Sequence, residues 1–502
     1  MQHFDTIVIG AGSSGGVAAA RLSEDAYRCV LLLDAGPDFP LEAESLPLFA
    51  VSSEHTWRVS GAPEFDWGFK DVDRAGRRGG RPIRLPRGRL VGGTSMVNST
   101  IAARPASFDL DRWARLGCTG WNWESLLPLF QRIETDRDFG QQQHHGDDGP
   151  IVIQRYPESG WAPVNRVFAE ACAAMGVAHA PDLNAAGADA GVFGPLPHNR
   201  YKEVKQGTLN TYLRAARPRK NLAIRGGCLV DRIEVTSGSA TAVHWRGAQG
   251  AETASADRII VAAGVYNTSA ILQRSGIGPA ALLKRHDIRV IADLPSGRGL
   301  TDHPGCAFFF RAEGISQMTG RLFPVIWRGA ARTGVEPWWH THSFPADEEE
   351  GLSGMFTFLA RQQSTGTIEI AGADPRLAPV IDHDYLASDV DVAHFADAFE
   401  GIKALLATPP FARHNARLLT PDSEFRAHLL ANVASAHHQS SSCRMGSDPT
   451  TSVVDPQLRV HGIDNLLVAD SSIFPDTIMH NPNLACYVIG EKVAEAIRLN
   501  RV

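Results

Sequence analysis

The feature that most constrains the fold is a glycine-rich turn between two apolar runs near the start of the chain. Residues 4–9 are largely apolar and lead directly into Gly10-Ala11-Gly12-Ser13-Ser14-Gly15. A helix-like stretch at residues 17–22 follows, and then a second apolar run at residues 29–33 that ends at Asp34. This order is typical of a βαβ unit whose turn binds a pyrophosphate and whose acid binds a ribose hydroxyl. It predicts a dinucleotide, either NAD or FAD; a βαβ unit without a ligand is the alternative.

Chain length and composition indicate a folded protein with more than one domain. The 502 residues exceed the size at which one hydrophobic core stops growing. Hydrophobic residues make up 43% and charged residues 21%, as is usual for a globular protein. The net charge is −6, and the chain has no long basic run of the kind that binds phosphate backbones. Nucleic acid is therefore not expected as a partner.

The sequence also predicts a cytoplasmic protein without a membrane span. Its apolar runs are too short to cross a bilayer, and its first nine residues lack the pattern of a signal peptide. The seven cysteines are odd in number, lie far apart and include no CxxC pair. We therefore expect reduced thiols and no metal site.

Three further segments are typical of a nucleotide-binding domain. Residues 85–98 contain three glycines among short side chains, which let a backbone approach a flat or phosphorylated ligand. Residues 258–264 predict a buried strand, and a helix follows at residues 268–272. Residues 466–470 predict another strand that ends at an acid, before a helix at about 484–499. The domain is therefore predicted to combine separated stretches of the chain.

Together these segments resemble the glucose-methanol-choline (GMC) oxidoreductases, which are FAD-dependent alcohol oxidases and dehydrogenases. The signatures are the first glycine turn with Asp34, residues 88–98, residues 264–278, Asp302-His303-Pro304, and the closing block at residues 438–491. The resemblance implies an α/β fold, with a Rossmann-like FAD-binding domain assembled from discontinuous segments and an α+β substrate-binding domain built on an antiparallel sheet. The implied boundaries are 1–160, 205–305 and 430–502 for the FAD-binding domain, and 161–204 and 306–429 for the substrate-binding domain.

FAD is the cofactor that the resemblance implies. Some relatives link it covalently to a histidine that precedes the asparagine of the second glycine loop, whereas this chain has Val97 there, so we expect non-covalent FAD. The residues expected to bind it are Gly10, Gly12, Ser13, Ser14, Gly15, Asp34, Ala35, Arg89, Gly92, Gly93, Ser95, Asn98, Val230, Ala263, Gly264, Asp470, Asn481 and Pro482.

The catalytic residues are expected in the closing block. The family pattern has a histidine six residues before Arg-Met-Gly, which selects His438 as the base. A second position, eleven residues before the lysine of the last helix, selects Asn481 as its partner. A neutral imidazole can accept the hydroxyl proton, and an amide can hold the developing alkoxide. A register shift of one residue would put His480 in place of Asn481.

Several neighbours of this site have two possible roles. His437 is interpreted as structural or orienting, and Arg444 as structural. His303 is either close to the flavin or part of a capped turn before Pro304. The chain departs from the usual Pro-x-Gly-Thr after the histidine, since it reads Gln439-Ser440-Ser441-Ser442, which changes the backbone freedom next to the base.

The segment between residues 308 and 358 is rich in aromatic and basic side chains. They could line an aryl pocket, although core or rim positions are more common for such residues. The side chains in question are Trp327, Arg328, Trp338, Trp339, His340 and His342.

The resulting hypothesis is FAD-dependent oxidation of a primary or secondary alcohol to an aldehyde or ketone. The hydroxyl proton passes to the base and the hydride to flavin N5. Oxygen, a quinone or another redox carrier then reoxidises the flavin. Two alternatives stay open at this stage: an FAD-containing lyase of the hydroxynitrile lyase type, and a non-catalytic or light-using flavoprotein.

Overall fold

The computed structural model describes residues 1–39, 64–189, 191–321, 323–330 and 337–501, without the side chains of residues 330, 337 and 338. Within these residues, one large sheet has seven strands and is mixed: Ser239–Gly247 runs antiparallel to both of its neighbours, and the other pairings are parallel. Its strands, in spatial order, are Leu222–Arg225, Val30–Leu33, Gln2–Ile9, Gly250–Val261, Ser239–Gly247 and Leu229–Thr236, with Leu466–Val468 beside the end of Gly250–Val261. The strands from the first glycine turn, residues 258–264 and residues 466–470 therefore lie side by side in one sheet.

This sheet is parallel where it carries the glycine turn. Ile9 pairs with Leu33 on one side and Val261 on the other, so three strands end at the same edge. Val30 to Leu33 are all completely buried, which is the pattern of a parallel strand covered on both faces. The turns after these strands therefore meet at one edge, where ligands bind in open α/β sheets.

The second large sheet has eight strands and is antiparallel except at one short edge pairing. Its strands are Arg417–Leu418, Pro304–Arg311, Leu352–Leu359, Pro337–Asp347, Val325–Ala330, Val192–Pro195 and Ala178–His179, with Ala434–Ser435 beside Pro304–Arg311. A hydrophobic core that includes Phe308, Phe310 and Phe395 packs against this antiparallel sheet. The predicted α/β fold class is confirmed: a mixed sheet with parallel strands at its glycine turn accompanies a mainly antiparallel sheet.

Two smaller sheets connect the larger ones. One contains Val204–Lys205, Pro197–Tyr201, Ile151–Arg155 and Glu134–Asp136, and the other contains Arg298–Leu300, Gly366–Glu369, Val380–Asp382, Phe69–Asp71 and Ile83–Leu85. Each joins segments from both sides of the predicted domain boundaries, so the boundaries themselves stay a prediction.

The helices lie around these sheets. In the described ranges, the α-helices are Ser13–Leu22, Ser107–Arg115, Trp123–Ile133, Pro163–Ala174, Arg214–Ala216, Val265–Arg274, Ala280–Arg285, Asp389–Leu406, Pro409–Ala412, Phe425–Asn432 and Asn483–Arg498. Shorter helical turns span Gly93–Met96, Glu158–Gly160, Leu209–Leu213, Asp422–Glu424 and Ser471–Ile473. No helix in the described part of the chain is both long and apolar enough to span a membrane.

The first and last helices cross in close contact beside the glycine turn. A Cβ at Gly490 would lie 2.5 Å from the carbonyl oxygen of Ser14, so a larger residue there would force the helices apart. The Ser13 hydroxyl also donates to the Asn483 side chain at 2.8 Å. The closing block is thereby held against the first glycine turn, although they lie at opposite ends of the sequence.

Candidate active site

A cavity of about 1200 Å³ lies between the two large sheets. On one side it is lined by the first glycine turn and Asp34, and on the other by Phe356 and Phe358 of the antiparallel sheet. Typical ligand pockets have roughly 300–1,000 Å³. The cavity is therefore large enough for a dinucleotide together with a small substrate.

The first glycine turn forms a cradle that side chains would fill. Gly10 has φ +97°, and a Cβ there would lie 2.4 Å from the Ala262 carbonyl oxygen. A Cβ on Gly15 would lie 2.0 Å from the Gly10 carbonyl oxygen, so Gly15 allows the close packing of helix on strand. Helix Ser13–Leu22 starts here without a side-chain cap, which leaves its first N–H groups available to a phosphate.

Asp34 stabilises this turn through both carboxylate oxygens. Its Oδ2 accepts from the Ala11 N–H at 2.9 Å, and its Oδ1 accepts from the Gly36 N–H at 2.8 Å. A carboxylate has about four acceptor positions, so it can also bind a ribose hydroxyl from the cavity. Burial raises the pKa of Asp34 to about 7.

The second glycine loop is in direct contact with the first. Gly92 and Gly93 have positive φ angles of 99° and 52°, and a Cβ on Gly93 would lie 2.8 Å from the Gly12 Cα. The Ser95 hydroxyl donates to the Gly92 carbonyl at 2.6 Å and fixes the loop. Val97 lines the cavity with an aliphatic side chain, which has no nucleophilic atom for a covalent bond to a cofactor.

Most of the residues predicted to bind the cofactor line this cavity: Gly10, Gly12, Ser13, Ser14, Asp34, Ala35, Gly93, Asn98, Val230, Ala263, Gly264, Asp470, Asn481 and Pro482. The other four are Gly15, Gly92, Ser95 and Arg89. The first three shape the two glycine turns, and the Arg89 guanidinium lies over the Trp67 ring at 5.4 Å. Thr94, Ser471, Asn483 and Cys486 also line the cavity and were missed, although each adjoins or lies near a predicted residue.

His438 lies between His303 and Asn481. Its Nδ1 is 2.9 Å from the Nδ1 of His303, and its Nε2 is 2.7 Å from the Asn481 amide nitrogen. The Nε2 of His303 is 2.8 Å from the Ile478 carbonyl oxygen. Since a carbonyl oxygen only accepts hydrogen bonds, neutral His303 must carry its proton on Nε2. Its Nδ1 is then unprotonated and can only accept a hydrogen bond.

These contacts fix the tautomer of His438. Because the Nδ1 of His303 is an acceptor, the Nδ1 of His438 must be the donor between the two rings. The Nε2 of neutral His438 then keeps its lone pair and accepts from the Asn481 amide. His438 therefore holds its acceptor nitrogen beside Asn481 on the cavity wall, as a general base requires.

Burial keeps both imidazoles neutral. It lowers the pKa of His303 to about 4. It also lowers the pKa of His438 well below its ordinary value, and proximity to His303 and His437 adds to the effect. His438 is thus unprotonated at neutral pH, and its Nε2 is a hydrogen-bond acceptor.

Asp302 anchors the backbone under both histidines and explains the unusual Gln439. Its Oδ1 accepts from the backbone N–H groups of His303 and His438, each at 2.8 Å. Its Oδ2 accepts from the Gln439 side chain at 3.0 Å and from the Ser435 hydroxyl. Gln439 therefore contributes a hydrogen bond where relatives have a proline.

Ser441 takes a conformation that favours glycine. Its φ is +72°, in the left-handed region, where a Cβ is unfavourable. Its hydroxyl accepts from Thr301 at 3.1 Å, and its N–H donates to the Ser471 carbonyl at 3.1 Å. These bonds hold a strained residue close to His438.

The other histidines of the block have different surroundings. His480 is buried and stacks on His340, with ring centres 5.0 Å apart, and it does not line the cavity. His437 lines the cavity, and its carbonyl accepts from Arg87 at 3.0 Å. Arg444 donates to the Gly299 carbonyl at 2.9 Å, which is a structural contact. Asn481, and not His480, therefore lies beside His438.

The aromatic and basic residues considered for an aryl pocket, with core or rim positions as the more common alternative, fall into two groups. His342 lines the cavity, whereas Trp327 and Trp339 pack against each other with ring centres 4.7 Å apart. Arg328 and His340 are buried away from the cavity, and the Trp338 side chain lies outside the described residues. Sequence reasoning missed Phe344, Phe356 and Phe358, because only the strand register shows which alternate residues face inward.

Comparison with models of known protein families identifies the family of the chain. A family model described as GMC oxidoreductase matches residues 4–305, and the C-terminal model of the same family matches residues 362–490. The chain belongs to the GMC oxidoreductase family, and it is an FAD-dependent oxidoreductase that acts on CH–OH donors, as the sequence predicted.

Individual relatives agree with this assignment. An oxygen-dependent choline dehydrogenase of Yersinia pestis is 33% identical, over 99% of this chain and 94% of the relative. The enzyme of the same description from Ectopseudomonas mendocina is 32% identical, with the same coverage. Pyridoxine 4-oxidase from Mesorbium loti has a similar structure, with a TM-score of 0.91, 28% identity and coverage of 99% of each chain.

Proposed function

We propose that this chain oxidises a primary or secondary alcohol to an aldehyde or ketone, with His438 as the base. The observation that supports this most strongly is the unprotonated Nε2 of His438, which lies beside the Asn481 amide on the wall of the cavity. FAD bound along the two glycine turns would supply the hydride acceptor, flavin N5. Because Val97 cannot form a covalent bond, we propose that FAD is held non-covalently.

In the proposed reaction, the substrate hydroxyl takes the place of the Asn481 amide as the donor to Nε2 of His438. The hydroxyl proton then passes to Nε2, and the Asn481 amide donates to the alcohol oxygen as negative charge develops there. His303 keeps Nε2 as the acceptor by holding the proton of His438 on Nδ1. Asp302 fixes the position of both rings through their backbones.

The last helix supports the other half of the reaction. Helix Asn483–Arg498 starts at the cavity and has no side-chain cap, so its first N–H groups and its positive dipole end face the ligand space. This end favours negative charge on a bound ligand. We propose that this helix end would stabilise negative charge on FAD bound in the cavity.

The electron acceptor and the location are further parts of this proposal. The relatives are described as oxygen-dependent dehydrogenases and as an oxidase, which favours oxygen, although a quinone or another redox carrier would complete the same cycle. A cytoplasmic location stays a prediction from the sequence.

The test is an anaerobic titration of the FAD-loaded protein with aliphatic, aryl, amino and sugar alcohols. Bleaching of the flavin absorbance by at least one class is the expected result, and the admission of air then shows whether oxygen restores the colour. If dithionite reduces the flavin but no alcohol does, the proposal is wrong, and a lyase or a non-catalytic role is favoured instead.

A further inference from the structure

The cavity has an aromatic wall that begins next to His438. Phe358 lies against His438 with ring centres 5.4 Å apart, and His342 lies 5.7 Å from Phe358. His342 is paired directly with Phe356 on the neighbouring strand, and alternate residues of one strand share a face. Phe344 extends the same face, and all four side chains line the cavity. These residues, His342, Phe344, Phe356 and Phe358, are called the aromatic wall below.

Two glycines make room for the rings of this wall. A Cβ on Gly305 would lie 2.4 Å from the Cζ of Phe356, and a Cβ on Gly354 would lie 2.4 Å from the Cζ of Phe344. Any larger residue at either glycine would therefore displace a ring. The absence of a side chain at Gly305 and Gly354 therefore lets the rings of Phe356 and Phe344 lie directly against the sheet.

The charge at this end of the cavity differs from that at the glycine turns. Among the described residues, the carboxylates that line the cavity are Asp34 and Asp470, both at the ends of parallel strands. The aromatic wall has none, whereas Arg87 lines the cavity next to His437. Burial lowers the pKa of His342 to about 4, so this ring is neutral. An ammonium group bound here would gain cation–π contact with the rings, but it would meet the positive charge of Arg87 and no carboxylate among the described residues of this end.

We propose that the substrate is an uncharged aromatic alcohol whose ring packs on the aromatic wall while its hydroxyl reaches His438. Aromatic rings gain from stacked or edge-to-face contact with one another, and the wall offers such contacts directly beside the base. Cationic alcohols such as choline are poor substrates, although relatives of this chain are described as choline dehydrogenases. This inference rests on the proposed alcohol oxidation.

The first test compares anaerobic flavin reduction by benzyl alcohol and by choline. Benzyl alcohol should give a second-order rate constant for reduction at least about tenfold higher than choline. A higher rate constant with choline would overturn the substrate assignment and leave alcohol oxidation intact. If neither these nor any other alcohol reduces the flavin, while dithionite does, the proposed function itself fails.

The second test changes the wall. In Phe356→Leu the rate constant for benzyl alcohol should fall about fivefold, whereas that for 1-butanol should change less than about twofold. Phe310→Leu is the matched control, because Phe310 packs against Phe411 in the core and does not line the cavity. Equal losses for both alcohols in Phe356→Leu would contradict the proposal. Phe344→Leu gives the same comparison if Phe356→Leu does not retain FAD.

Discussion

His438 and His145 are both buried imidazoles, but their partners differ. His438 faces a second neutral ring and an amide. His145 faces three carboxylates: its Nδ1 is 2.9 Å from Glu134 and 3.3 Å from Asp136, and its Nε2 is 2.8 Å from Asp182. Burial opposes the charge on His145, yet hydrogen bonds to these acids raise its pKa to about 10.

The cluster around His145 resembles a metal site but is a closed ion-pair network. The carboxylate oxygens of Glu134 and Asp136 and a ring nitrogen of His145 lie within 4.8 Å of one another, close enough to share a metal ion. Arg104 pairs with Glu134, and Arg155 pairs with both Asp136 and Asp182. Three positive and three negative buried groups therefore pair with one another, and the more exposed Asp138 lies 3.4 Å from Arg155 at the edge of the network. Burial alone therefore does not decide the protonation state of a histidine: the acids keep His145 charged at neutral pH, whereas neutral partners leave His438 uncharged.

The largest effect should come from removing the base. His438→Gln removes the proton acceptor, and general base catalysis contributes about 10²–10⁴-fold. We expect the limiting rate of anaerobic flavin reduction to fall by that factor, measured by stopped-flow absorbance. FAD content should match the wild type. A rate within about threefold of the wild type would mean that another group accepts the proton.

The matching substitution of His145 in the ion-pair network should lower the free energy of unfolding and leave the rate of flavin reduction unchanged. His145→Gln leaves the three carboxylates with two guanidinium groups, and breaking a buried ion pair costs about 3–5 kcal/mol. Urea unfolding should report a loss of this size, while flavin reduction per bound FAD stays unchanged. A loss of activity without a loss of stability would contradict the structural role.

The pH dependence of the free energy of unfolding should show the charge on His145, which His438 does not carry. Since the folded pKa of His145 lies above that of the unfolded chain, its contribution is complete below about pH 6.5 and disappears as pH rises through 10. The stability difference between wild type and His145→Gln should therefore narrow between about pH 7 and pH 10. Urea unfolding at both values measures it, and a constant difference would show that His145 is neutral in the folded protein.

A smaller effect is expected from the residue that sets the tautomer. His303→Leu removes the acceptor for Nδ1 of His438 and leaves the Ile478 carbonyl without its donor, which costs about 1–3 kcal/mol. The rate of flavin reduction should fall about tenfold or more. His303→Gln, which can accept and donate, should recover part of this loss. If the leucine and glutamine variants were equally slow, a purely steric role for His303 would be indicated.

Much of the fold could be predicted because its signals are local. The glycine turn, the apolar strands and the acids that end them are short patterns set by backbone geometry, and the structure has each of them. The position of Asn481 was found by counting along one helix. The sequence also showed that Gln439 and Ser441 are unusual, but not that Gln439 binds Asp302.

The rest depends on contacts between distant segments. His303 and His438 are 135 positions apart, and nothing in either segment shows that the two rings meet. The aromatic wall depends on strand register, which decides that His342 and Phe356 share a face while Trp327 and Trp339 pack elsewhere. The charge of His145 depends on Asp182, which lies 37 positions away. Such pairings follow from tertiary packing and have no local signature.

The protonation state of His438 tests the central claim most directly. Nitrogen NMR of the FAD-loaded protein, labelled with ¹⁵N only in histidine, reads which ring nitrogens carry protons between about pH 6 and pH 9. Spectra of His438→Gln, His303→Gln and His145→Gln assign the signals. We predict that His438 is protonated on Nδ1 alone and that His145 is protonated on both nitrogens. A proton on Nε2 of His438 in the resting protein would contradict its role as the base.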